Sequence, residues 1–147
     1  MNPNIKNFNY SIILTACINP VNMPFLLRSS TNDRLNDYKN AFKKWCNNSF
    51  VKKIIFIENS GYDLTFFRDE AKKFPQKEIE IISNDLNNTF EKKLGKGYGE
   101  FLCLREVFSN SIIAKKTEYF LKITGRYYLK NFNNIYNEFK ENKSDIQ

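Results

Sequence analysis

The chain is predicted to be an α/β protein with a mainly parallel sheet flanked by helices, and three observations predict it. Four short apolar runs, at residues 11–16, 53–57, 78–82 and 119–123, are each bounded by polar residues, as strands buried on both faces are. Between them lie stretches whose apolar residues recur every three or four positions, the period of an amphipathic helix. Each apolar run also empties into a polar loop, at residues 15–19, 58–63, 83–85 and 124–126. Strands alternating with helices in this order predict layers built on parallel strands.

The elements follow in order. Residues 1–9 are polar and expected to be frayed. Ser11-Ile12-Ile13-Leu14-Thr15-Ala16 is the first strand, and Pro20 and Pro24 make its exit a loop, because proline biases its predecessor away from helix. Thr31 or Asn32 is expected to cap the first helix, whose apolar face is Leu35, Tyr38, Phe42 and Trp45. The second strand, Lys53-Ile54-Ile55-Phe56-Ile57, runs into Glu58 and a cluster of turn-formers. Asp63 is placed as the N-cap of a helix with inner face Leu64, Phe67, Ala71 and Phe74, closed by Pro75. A third strand covers residues 78–82. Gly95, Gly97 and Gly99 then precede a helix read with Phe101, Leu104, Arg105 and Phe108 on one face. The fourth strand, residues 119–123, ends at Thr124-Gly125-Arg126, a polar tip with a fixed positive charge. A last helix over residues 131–143 turns Phe132, Ile135, Tyr136 and Phe139 inward.

Composition narrows the chemistry. The 147 residues contain no internal repeat or linker and are expected to form one domain, long enough to bury about 70% of the unfolded surface. Histidine is absent, which removes the commonest general base and the commonest zinc ligand together. Cys17, Cys46 and Cys103 are odd in number and lack paired metal spacing, so neither a disulfide nor a zinc site is expected. The net charge of +7 suits nucleic acid, an anionic membrane surface or phosphorylated small molecules. The lysines are scattered in pairs with no basic run of five or more, which argues against nucleic acid. No run of about 20 apolar residues is present, and the first residues lack a signal-peptide apolar region. A cytoplasmic chain is expected.

Four segments carry a family resemblance. SIILTACINP (residues 11–20), IIFIENSGYDLT (54–65), LGKGYGE (94–100) and KKTEYFLKITGRYYL (115–129) stand in an order and spacing similar to bacterial glycosyltransferases of the GT-A fold. The likeness is to the Rossmann-like nucleotide-sugar-binding half of enzymes that build capsules and lipopolysaccharide, and it covers residues 10–132. It implies transfer of a sugar from a nucleotide-diphospho-sugar, a UDP-sugar above all, to a glycan or lipid-linked acceptor at the inner face of the membrane. It also implies where the donor lies. Thr15 and Ala16 would border the nucleotide, and Glu58, with Asn59 beside it, would read the base. Asp63 would stand further along the same loop, and Lys96, Gly97, Glu100 and Arg105 would lie near the sugar-diphosphate.

The sequence departs from the family twice. Such enzymes use an Asp-x-Asp pair to hold a divalent cation, manganese or magnesium, on the diphosphate, and no Asp-x-Asp occurs here. In its place stands Lys122-Ile123-Thr124-Gly125-Arg126-Tyr127, and a capsule-type subset of the family has a similar Lys-x-Thr-Gly-Arg-Tyr stretch. An arginine fork matches phosphate and keeps its charge, so Arg126, helped by Lys122, would neutralise the leaving group without metal. The second departure is that the segment after residue 129 is C-terminally short for the acceptor half of that fold. A non-catalytic nucleotide-sugar-binding or partner-binding module is therefore the alternative. For each residue a plainer role stands beside the functional one: Glu58 a turn carboxylate, Asp63 a cap, Lys96 a surface lysine, and Arg105 a snorkelling side chain.

Overall fold

The computed structural model describes residues 8–142. Residues 1–7, most of the segment expected to be frayed, lie outside that range. The strands are β1 (Tyr10–Ala16), β2 (Lys53–Glu58), β3 (Glu78–Ser83) and β4 (Tyr119–Thr124). They form one sheet in the order β3-β2-β1-β4 with every pairing parallel. The helices are α1 (Thr31–Asn47), α2 (Thr65–Ala71), α3 (Gly95–Asn110), the four-residue α4 (Ile112–Lys115) and α5 (Phe132–Asn142). The α/β architecture with a parallel sheet and flanking helices is thus as the apolar runs predict, and it is consistent with a Rossmann-like fold.

The pleat sorts the strand residues onto two faces. Ile12, Leu14, Ile54 and Phe56 pack against Phe42 and Trp45 of α1, Phe67 of α2 and Phe132 of α5. Ile13, Ile55 and Ile57 pack on the other face against Cys103 and Val107 of α3 and Ile113 of α4. The first core is aromatic. Phe56 stacks on Phe67 with ring centroids 4.4 Å apart, and Phe42 meets both edge-on. Such pairs each add about 0.5–1.5 kcal/mol beyond their area burial.

Four local expectations need correction. Ser30, not Thr31 or Asn32, caps α1: its backbone is extended and its hydroxyl accepts from the Asp33 N–H at 3.3 Å. Asp63 is not the N-cap of α2, a position held by Leu64. Asp63 instead accepts from the N–H and hydroxyl of Thr65 in the turn before the helix, which holds its carboxyl below the usual range. The glycines belong to α3 itself, after two unforeseen 3-10 turns at Leu86–Asn88 and Lys92–Leu94, and only Gly95 among them has a positive φ, 79°. The buried stripe of α3 is Gly99, Leu102, Cys103 and Val107, whereas Phe101, Arg105 and Phe108 are exposed. Gly99 sits closely packed in that stripe, where a Cβ would lie 3.4 Å from the Asn59 and Phe90 side chains.

The tip of β4 is fixed by the core. Gly125 donates its N–H to the Thr15 carbonyl at 2.8 Å, and the Trp45 indole donates to the Tyr127 carbonyl at 2.9 Å. A Cβ on Gly125 would stand 3.0 Å from that Thr15 oxygen and 3.3 Å from the Tyr38 ring. Gly125→Ala is expected to cost about 1–2 kcal/mol, the strain of forced packing outweighing the entropy gained in the unfolded chain. A denaturant titration measures it, and unchanged stability would show that the tip gives way freely.

Candidate functional site

Chain order places the site. β1, β2 and β3 run outward in one direction, and the chain then returns to lay β4 on the opposite side of β1. The carboxyl ends of β1 and β4 therefore diverge at a topological switch point, where open α/β sheets hold ligands. A cleft of about 490 Å³ opens there, within the range of small-molecule sites. Its floor is Thr15, Ala16 and Cys17 from β1 and its exit, with Asn59 and Asn87 on the β2 side and Thr124 and Arg126 on the β4 side. Gly99, Glu100 and Lys96 of α3 form one wall, and the segment from Pro20 to Arg28 forms another.

The cleft is cationic, with Arg28, Arg34, Lys96 and Arg126 set against one carboxylate, Glu100. The arginines differ in what holds them. Arg34 is buried and fully employed, donating to the Cys17 carbonyl at 2.6 and 2.9 Å, to the Arg28 carbonyl at 3.2 Å and to the Tyr38 hydroxyl at 3.2 Å. It shapes the β1 exit loop. Arg28 is paired in bidentate fashion with Asp37 at 2.8 and 3.0 Å. Among the described residues Arg126 meets Asp37 only at 4.0 Å, and its Nε is buried without a partner. Its guanidinium donates no hydrogen bond among the described residues, and it lines the cleft.

Glu100 is a clamp. Its Oε1 accepts from Lys122 Nζ at 2.6 Å, Thr15 Oγ1 at 3.2 Å and Thr124 Oγ1 at 3.4 Å, tying α3 to the ends of β1 and β4. Its other oxygen takes no hydrogen bond from the described residues. Lys122 is consequently neutralised outside the cleft lining rather than aimed into it. Thr15, Ala16, Asn59, Lys96, Glu100 and Arg126 are brought together around this one cleft. Gly97, Arg105, Asp63 and Lys122 do not line the cleft.

Glu58 does not face it either. The side chain is 0% exposed and its carboxylate is spent on the chain itself. Oε1 accepts from the N–H of Ile18 at 2.9 Å, the N–H of Ser60 at 3.0 Å and the Ser60 hydroxyl, and Oε2 accepts from the N–H of Tyr62 at 3.1 Å. A charge taken out of water stays there only with such a set of donors. Glu58 therefore knots the β1 and β2 exit loops together.

Asn87, Arg28, Arg34 and Tyr38 were not foreseen as lining residues. Asn87 sits in the first 3-10 turn, its backbone N–H donating to the Asn59 carbonyl at 2.8 Å. It is 1% exposed and Asn59 4% exposed, yet Nδ2 of Asn87 and Oδ1 of Asn59 have no partner among the described residues. Buried polar atoms of this kind normally find a hydrogen bond, so the floor offers one donor and one acceptor to a ligand. The thiols do not compete for chemistry. Burial pushes Cys17 up to about 11 and Cys103 up to about 12, so both stay protonated at neutral pH.

The residues present do not fit a divalent cation on the diphosphate. Among the described residues, Glu100 is the lone carboxylate in the cleft, and it is already shared with Lys122. Among the described residues, no group of three or more acidic or thiol side chains gathers as a metal site. No helix of the described residues is long and apolar enough to cross a membrane. Comparison with protein-family models, with curated proteins and with solved structures finds no match to this chain.

Proposed function

We propose that this chain is a GT-A-type glycosyltransferase domain that binds a nucleotide-diphospho-sugar, UDP-linked by preference, and transfers the sugar to a cell-surface glycan acceptor. The observation that supports this best is a cationic cleft at the β1/β4 switch point with an arginine that donates no hydrogen bond among the described residues. In this reading Arg126 and Lys96 receive the diphosphate, and Asn59 and Asn87 meet the edge of the base. Asn59 and Arg126 follow strands on opposite sides of β1, so their backbones stand two strand spacings apart, about 10 Å. A nucleotide lying across β1 spans such a gap from base to phosphate. The acceptor hydroxyl attacks the anomeric carbon as the bond to the diphosphate breaks. Its proton passes to the free oxygen of Glu100, and Arg126 takes up the leaving group's charge. The work would be done in the cytoplasm, at the inner face of the membrane.

The three donors on Glu100 Oε1 favour a second reading, in which the chain binds the nucleotide sugar and transfers nothing. Sugar transfer or release of free UDP separates the two.

Thermal unfolding with UDP, UDP-sugars and pyrophosphate, each with and without manganese, tests the binding. A ligand at about 100 times its dissociation constant adds about 2.7 kcal/mol, a rise of about 5–10 °C at this size. The expected result is a rise with UDP that needs no manganese. In Asn87→Leu the UDP affinity is expected to fall about tenfold or more while pyrophosphate binds as before, because only the base loses its donor. No rise with any nucleotide, in a chain that melts cooperatively, would remove the proposal.

A further inference from the structure

The rim of the cleft is apolar where a protein in water has least reason to be. Phe25 is 94% exposed, Leu27 is as open as a free side chain at 106%, and Tyr127 across the mouth is 56% exposed. All three line the same opening as Arg28, Lys96 and Arg126. Phe25 also holds φ at 57°, a left-handed conformation that is costly for a bulky side chain. Its carbonyl leans on Lys96 Nζ at 3.5 Å, yet its ring touches nothing that repays that strain. We infer that this rim docks on an anionic phospholipid bilayer, with Phe25 and Leu27 entering the acyl boundary and Arg28, Lys96 and Arg126 facing the headgroups.

Charge and shape select that occupant. A second copy of the chain would bring the same three cations, and another net charge of +7, against the first. An anionic surface complements them. The apolar side chains project as separate fingers around an opening rather than forming a groove. A soft bilayer accommodates fingers, whereas a folded partner needs a complementary surface. Lys96 and Arg126 are also the residues given to the diphosphate above, so the variants that test the rim are placed at Phe25 and Leu27 alone, neither of which has a part in donor binding.

Sedimentation of the full chain with vesicles tests it, using phosphatidylcholine alone or mixed with phosphatidylglycerol. The chain is expected to pellet with the mixed vesicles and not with phosphatidylcholine alone. The double variant Phe25→Asn, Leu27→Ser is expected to lose on the order of tenfold or more in vesicle affinity. Its melting temperature should hold, since both side chains are exposed and Asn tolerates the left-handed region. The inference is overturned if the wild-type chain stays in solution with the anionic vesicles, or if the double variant binds them equally well. A wild-type dimer that the double variant dissolves, with no vesicle binding, would give the rim to a second copy instead.

Discussion

Arg126→Ala is expected to raise the dissociation constant for UDP by about 100-fold, read by titration calorimetry, with little change in the melting temperature of the free protein. The two halves of that expectation have separate causes. An arginine that receives a diphosphate makes charge-assisted, bidentate hydrogen bonds in a partly enclosed site, and losing them costs several kcal/mol. In the free protein the same side chain has only the long contact to Asp37 and the face of Tyr127, 5.4 Å from its guanidinium carbon. An ion pair of that kind contributes about 1 kcal/mol or less. Arg126→Lys should recover only part of the affinity, because an ammonium cannot present the planar fork. If UDP binds Arg126→Ala as tightly as wild type, Arg126 is not the phosphate cation and the metal-free account of the leaving group fails.

The largest effect on stability is expected from Glu58. Glu58→Gln keeps the shape but leaves one acceptor oxygen where the carboxylate had two. In either orientation the new NH2 faces a buried N–H, that of Tyr62 or those of Ile18 and Ser60. Leaving buried donors opposed costs about 2–4 kcal/mol, a fall in melting temperature of about 10 °C at this size. UDP affinity of the folded protein should change little, since the carboxylate does not reach the cleft. The opposite pattern, unchanged melting with lost UDP binding, would return Glu58 to the base-reading role its strand-end position suggests.

That contrast marks how far the sequence could be read. The sheet was legible because buried parallel strands leave unbroken apolar runs, and the cleft because polar residues gather where those runs stop. Thr15, Asn59 and Arg126 follow from that rule alone. What strand-end position does not encode is direction. Glu58 and Asn59 are adjacent in sequence, yet one turns inward to the loop amides and the other toward the cleft. Asn87 was missed because a 3-10 turn leaves no periodic mark, although the polar cluster after β3 stops only two residues short of it. Arg34 lies on a helix and resembles a solvent residue, and only the fold reveals the carbonyls it serves. The spacing of Phe101, Arg105 and Phe108 points to the wrong face of α3, because size and apolarity alone do not place an aromatic in the core. A small-residue stripe packs closer to the sheet, and Phe101 and Phe108 are left at its flanks.

The bond from Trp45 to the Tyr127 carbonyl has a use outside folding. This is the chain's only tryptophan, and it is buried one residue away from the backbone of Arg126. Its indole is therefore bonded to the peptide group next to Arg126, and a ligand held by Arg126 is expected to change its emission. The protein carries its own optical label at that turn, so occupancy can be followed by intrinsic fluorescence without a dye or a labelled ligand.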